Sequence, residues 1–102
     1  MSASTTQIDR YTVWYRSNKS IPTISLWKDN VNKNIASLSF RPNGSVLPND
    51  SSYDGTAFLF FHLEDFANII DLLRNEKPIF LWWDGTQYTI TTSNEPVGEG
   101  EK

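Results

Sequence analysis

The stretch IFLWWDGTQYTI, residues 79–90, constrains this chain more than any other. Asp-Gly between two alternating apolar runs is the strongest short-range hairpin signal. A two-residue loop at Asp84-Gly85 would pair Trp83 with Thr86, Trp82 with Gln87, Leu81 with Tyr88, Phe80 with Thr89 and Ile79 with Ile90. Successive strand residues point to opposite sides of a sheet. Ile79, Leu81, Trp83, Tyr88 and Ile90 then share a core face, and Phe80, Trp82, Gln87, Thr89 and Thr91 share the other. The adjacent tryptophans take opposite roles, and Trp82 is left on a polar side.

Upstream of the hairpin the pattern is again mostly of strands. YTVWYR (11–16) is β-branched and aromatic; TISLWK (23–28) and IASLSFR (35–41) alternate with period two. TAFLFF (56–61) is nearly continuously apolar, which suits a strand that is central or covered on both faces. A long loop, 42–55, precedes it. From Leu63 the period changes. Leu63, Phe66, Ile69, Ile70 and Leu73 recur at three- and four-residue spacings, one face of a helix, with Glu64 and Asp65 in its first turn, Arg74 in its last and Pro78 as its stop. The expected fold is α+β: an antiparallel sheet of four strands, one helix packed on one face, then a C-terminal β-hairpin.

The strand residues that oppose the core set form an unusual surface. Trp14, Trp27, Phe80 and Trp82 stand among Ser, Thr and Gln, including Gln87, with Arg16 and Arg41 nearby and Lys28 and Lys33 on the same strands. Ordinary solvated faces rarely display several tryptophans. From Arg10 to Arg41 there are six basic residues and one acid, although the whole chain carries a net charge of −3. Flat aromatics on an open sheet stack bases, and hydroxyls and arginines contact the backbone. Single-stranded nucleic acid is therefore the expected partner, through Trp14, Arg16, Trp27, Lys28, Lys33, Arg41, Phe80, Trp82 and Gln87. The alternative is a homo-oligomeric protein-interaction module whose aromatic face is an interface, most simply a homodimer, because Trp and Arg dominate interface hot spots. A small ligand such as a sugar stacked on the indoles is a third reading.

The 102 residues correspond to one domain. Residues 1–9 are expected to be a disordered N-terminus, 10–92 the folded domain and 93–102 a flexible acidic tail that could compete for a basic face. With no cysteine and one histidine, thiolate chemistry and the usual metal-ligand sets are excluded. His62 sits at the strand-to-helix junction, an N-cap-like or ordinary surface position. Asp50 and Asp54 suit turns better than a catalytic pair. A non-enzymatic protein without cofactor is expected. No basic-then-apolar leader is visible and the longest apolar run, AFLFF, is too short to span a bilayer, so a cytoplasmic domain without membrane contact is expected.

Two segments resemble the superfamily of single-stranded DNA-binding transcriptional regulators, which includes the positive-cofactor coactivators and the plant Whirly proteins. NKNIASLSFRP (32–42) is similar to the Whirly segment Lys-Gly-Lys-Ala-Ala-Leu-Ser, with Lys33, Ala36, Leu38 and Ser39 matching and Asn34 and Ile35 replacing the glycine and second lysine. FLFFHLEDFANIIDLLRN (58–75) resembles the coactivator pattern of a last strand running into an amphipathic helix. The likeness covers about residues 11–75 and implies a curved four-stranded sheet that binds single strands in an oligomer. The hairpin after the helix would be an addition.

Overall fold

The computed structural model describes residues 4–17, 21–29 and 33–92. The expectations for residues 1–3 and for the tail 93–102 lie outside the described residues. The chain is α+β, with eight strands, one helix and a C-terminal hairpin among the described residues. The strands are β1 (Ser4–Ile8), β2 (Arg10–Trp14), β3 (Thr23–Lys28), β4 (Lys33–Arg41), β5 (Ser51–Tyr53), β6 (Thr56–His62), β7 (Ile79–Trp83) and β8 (Tyr88–Thr92). Between β6 and β7 comes one 3₁₀ turn (Leu63–Asp65) and then α1 (Phe66–Asn75). No helix among the described residues is long and apolar enough to cross a membrane.

The strands form two sheets, one more strand in each than the expected four-stranded sheet and C-terminal hairpin. One has five strands in the order β2-β3-β4-β6-β5; the other has three, β1-β7-β8. Two short strands account for the difference. β1 lies in the segment expected to be free: it pairs antiparallel with β7, from Ser4 opposite Trp83 to Ile8 opposite Ile79. Its Ser/Thr-rich sequence offers little apolar area, but strand preference depends on the neighbour, and the apolar strand β7 supplies one. β5 lies within the long loop and pairs antiparallel with β6. The sheet is also mixed, because the connection 42–55 carries the chain across the sheet end and lets β6 run parallel to β4. β6 is a central strand, between β4 and β5, but the core covers only the face of Ala57 and Leu59.

The two Asp-Gly dipeptides behave differently. Asp54-Gly55 is the two-residue hairpin, with Tyr53 opposite Thr56 and positive φ at both residues (53° and 83°), as the twist-matched turn needs. Asp84-Gly85 opens a four-residue loop, so Trp83 pairs with Tyr88, Trp82 with Thr89, Leu81 with Ile90, Phe80 with Thr91 and Ile79 with Thr92. The cause is the Asp84 carboxylate: its Oδ1 accepts the amides of Thr86 and Gln87, both at 2.8 Å, and the Thr86 hydroxyl at 2.9 Å. The expected register is displaced by two residues. An even shift preserves the faces, so Leu81 and Trp83 still oppose Phe80 and Trp82.

One core joins the layers. The inner face of the larger sheet contributes Ile24, Leu26, Ala36, Leu38, Phe40, Ala57 and Leu59, and the smaller sheet contributes Ile8, Ile79 and Leu81. Each leucine, isoleucine or phenylalanine of this cluster stabilises the fold by about 1.5–3 kcal/mol when fully buried. Phe66, Ile69, Ile70, Leu72 and Leu73 of α1 pack against the same cluster, and the Phe66 ring meets Phe40 edge-on at 4.9 Å. The helix therefore shares its face of the larger sheet with the second sheet. The sheets are tied at Asp9, where β1 bends into β2: the Asp9 amide donates to the Trp27 carbonyl (2.9 Å) and its carboxylate accepts the Asp29 amide (2.8 Å). They are tied again at Asp50, whose carboxylate accepts the Tyr88 amide at 2.9 Å.

Candidate functional site

The inner face of the five-stranded sheet is occupied, so alternation sends Thr12, Trp14, Thr23, Ser25, Trp27, Ser37, Ser39, Arg41, Phe58 and Phe60 to its outer face. The registers order them into rows. Trp14, Thr23, Ser39 and Phe60 form one row; Thr12, Ser25, Ser37, Phe58 and Ser51 form the next. Arg10 pairs with Trp27 below them and Arg41 with His62 above. The face is thus a hydroxyl trough, with indoles on the β2–β3 side and benzyl rings on β6.

Both indoles are held by the sheet itself. Trp14 Nε1–H donates to Ser25 Oγ and Trp27 Nε1–H donates to Thr12 Oγ1, each at 3.2 Å. Thr12 and Ser25 are direct partners across the β2–β3 ladder, so the indoles lean toward that pair from opposite ends. Their polar edges are used, and what they offer outward is ring surface; Trp14 is 47 % exposed. Arginines stand over three rings. The guanidinium carbon lies 5.7 Å from the ring centroid for Arg16 on Trp14, 5.7 Å for Arg10 on Trp27 and 5.2 Å for Arg41 on Phe60. Arg10 is also ion-paired with Asp29. Arg41 Nε is a buried nitrogen without a hydrogen-bond partner, which leaves this arginine with an unused donor.

The structure brings together only part of the expected set. Trp14, Arg16, Trp27 and Arg41 belong to this face. Phe80 and Trp82 do not; they lie on the outer side of the three-stranded sheet, where Trp82 pairs with Thr5 and Thr89, and Phe80 with Gln7 and Thr91. Gln87 is in the 84–87 loop rather than opposite Trp82. Lys28 and Lys33 pair with each other one step beyond Trp27 and Asn34, after a bulge that skips Ile35, so alternation sends them to the side opposite Trp27. Lys33 Nζ donates to the Asp54 carbonyl (3.3 Å) and buttresses the Asp54-Gly55 turn.

Three members of the face were not among the expected residues. Phe58 and Phe60 are placed there by the parallel β4–β6 register, Ser37 with Phe58 and Ser39 with Phe60. Their strand reads as apolar throughout, so no alternation marks which rings turn outward. Arg10 is visible in the sequence only as one more base before the first strand. His62 takes the expected N-cap position without capping through its side chain. Its Nε2–H donates to the Ser45 carbonyl (2.7 Å), and the cap comes from Asn43, whose Oδ1 accepts the Glu64 amide (2.7 Å). Asp50 and Asp54 are structural, the first on the Tyr88 amide and the second in the β5–β6 turn.

Comparison with protein families, with curated proteins and with solved structures finds no match for this chain.

Proposed function

We propose that the outer face of the five-stranded sheet binds single-stranded nucleic acid, and that the protein acts as a non-enzymatic binding module. The observation that supports this is the pairing of an arginine with each of three rings around a serine and threonine trough. A single strand offers a planar base and an anionic phosphate at every step. The indole and phenyl rings take the bases, Arg16 and Arg41 turn to phosphates, and the trough hydroxyls bond to sugar and phosphate oxygens. Arg41 gains an acceptor for its unused donor in the exchange. Likeness to the single-stranded DNA-binding regulators in residues 11–75 points the same way.

The test is the anisotropy of a labelled single-stranded oligonucleotide titrated at several salt concentrations. Trp14→Ala and Trp27→Ala should each weaken binding by about 5- to 150-fold, since base–aromatic stacking contributes about 1–3 kcal/mol. Trp82→Ala, on the other sheet, should leave it unchanged. Absence of binding at low salt, or an equal loss in Trp82→Ala, refutes the assignment. If Trp27→Ala instead dissolves a complex of the protein with itself, the face is a protein interface.

A further inference from the structure

We infer that β1 is a dimerisation edge, pairing antiparallel with β1 of a second copy of this chain about a two-fold axis at Thr6. The hydrogen-bond phase of the three-stranded sheet carries this. The Asp84 amide donates to the Gln87 carbonyl (3.2 Å) across the hairpin loop. That bond makes Trp83–Tyr88 a non-hydrogen-bonded pair, so Trp82–Thr89 and Phe80–Thr91 exchange bonds. Trp82 and Phe80 therefore turn their backbone groups to β8, and Ile79, Leu81 and Trp83 turn theirs to β1. Their β1 partners Ile8, Thr6 and Ser4 are bonded inward. Thr5 and Gln7 are left with N–H and C=O groups directed away from the sheet. Neither has a hydrogen-bond partner outside the ladder among the described residues, and both are exposed.

The two outer strands of this sheet are treated differently. At β8 the outward Tyr88 amide is taken by Asp50. β1, Ser-Thr-Thr-Gln-Ile, has no charge, no proline and no bulge within it to guard against edge pairing, and among the described residues the end of β3 is bonded only beyond it, at Asp9. Its outward groups are self-complementary. With Thr6 on the axis, Thr5 faces the second copy's Gln7 and Gln7 faces its Thr5, each pair exchanging two bonds. Six strands become one sheet, and Trp82, beside Thr5, extends a row that continues into the second copy's Gln7 and Phe80. The seam is short, which puts the dimer in the weak class. It leaves the outer face of the five-stranded sheet uncovered in both copies.

The sequence has no cysteine, so a single introduced thiol reports the register. Across the axis the two Thr6 residues form a non-hydrogen-bonded pair with Cα atoms about 4.5 Å apart, inside the span of a disulfide. The full chain should double its mass in light scattering as concentration rises. Thr6→Cys should cross-link under mild oxidation, whereas Val46→Cys, 93 % exposed and in the 42–50 connection, should not. Gln7→Pro removes an outward donor without touching the β1–β7 ladder, and Thr5→Lys charges the edge. Each should weaken the dimer at least about tenfold with an unchanged circular dichroism spectrum. A monomer at every concentration overturns the inference. So does a dimer in which Thr6→Cys fails to cross-link, or one that both edge variants leave intact.

Discussion

The outer faces of the two sheets look alike in composition and differ in what surrounds their rings. The larger sheet shows Trp14, Trp27, Phe58 and Phe60 above Ser and Thr; the smaller shows Phe80 and Trp82 above Thr and Gln. All three guanidinium–ring contacts among the described residues lie on the first face. The strands of the second contain no charged residue at all. The difference between the faces is thus charge over the rings rather than aromatic content. The proposed nucleic-acid site lies on the first face and the proposed strand pairing on the sheet of the second.

The largest effect is expected where the two sheets meet in one core. Phe40 is 1 % exposed and touches both Phe61 and Phe66. Phe40→Ala should cost about 3–5 kcal/mol in denaturant titration. Loss of both sheets in a single transition is expected, and two separated transitions would make them independent. Asp50→Ala addresses the second tie and should cost about 1–3 kcal/mol, because the Tyr88 amide is left half-buried without its charged acceptor. Amide exchange should speed up at Tyr88 more than at Thr6, which β7 holds.

Charge is the next discriminator. Arg16→Gln and Arg41→Gln should each flatten the dependence of log affinity on log salt by about 0.7, the value for one phosphate on a single strand. Lys33→Gln, on the Asp54 turn, should leave the slope alone; an equal change there would show that overall charge rather than the face attracts the ligand.

The smallest effect is expected at the 84–87 loop, which follows the two adjacent tryptophans. The amide of Gln87, then the amide and hydroxyl of Thr86, hold the Asp84 carboxyl below its ordinary value of 3.8. A carboxylate with a lowered folded value contributes stability above the unfolded value and loses it as pH falls through the folded one. The Thr86 and Gln87 amide resonances should shift together below about pH 4, and Asp84→Asn should abolish that titration.

Much of this is legible in the chain. Period two in 23–28 and 35–41 gives two inner strands and their faces, and the change of period at Leu63 gives the helix. Trp14, Trp27 and Arg41 follow from alternation alone. Other features required neighbours. Ser4–Ile8 is a strand because β7 lies beside it, and a Ser/Thr-rich segment has no apolar stripe to announce that. Phe58 and Phe60 join the face through a parallel pairing made possible by the long 42–55 connection.

The order of residues is enough for the α+β class, the hairpin and the opposite facing of Trp82 and Trp83. These depend on local periodicity, and a register error of two residues cannot disturb it. Tertiary structure decided which aromatics share a surface. Strand order and sheet membership arise from contacts between residues far apart in the chain, which no local pattern encodes. Trp82 consequently stands beside the open edge at Thr5 rather than among the arginines of Trp14 and Trp27.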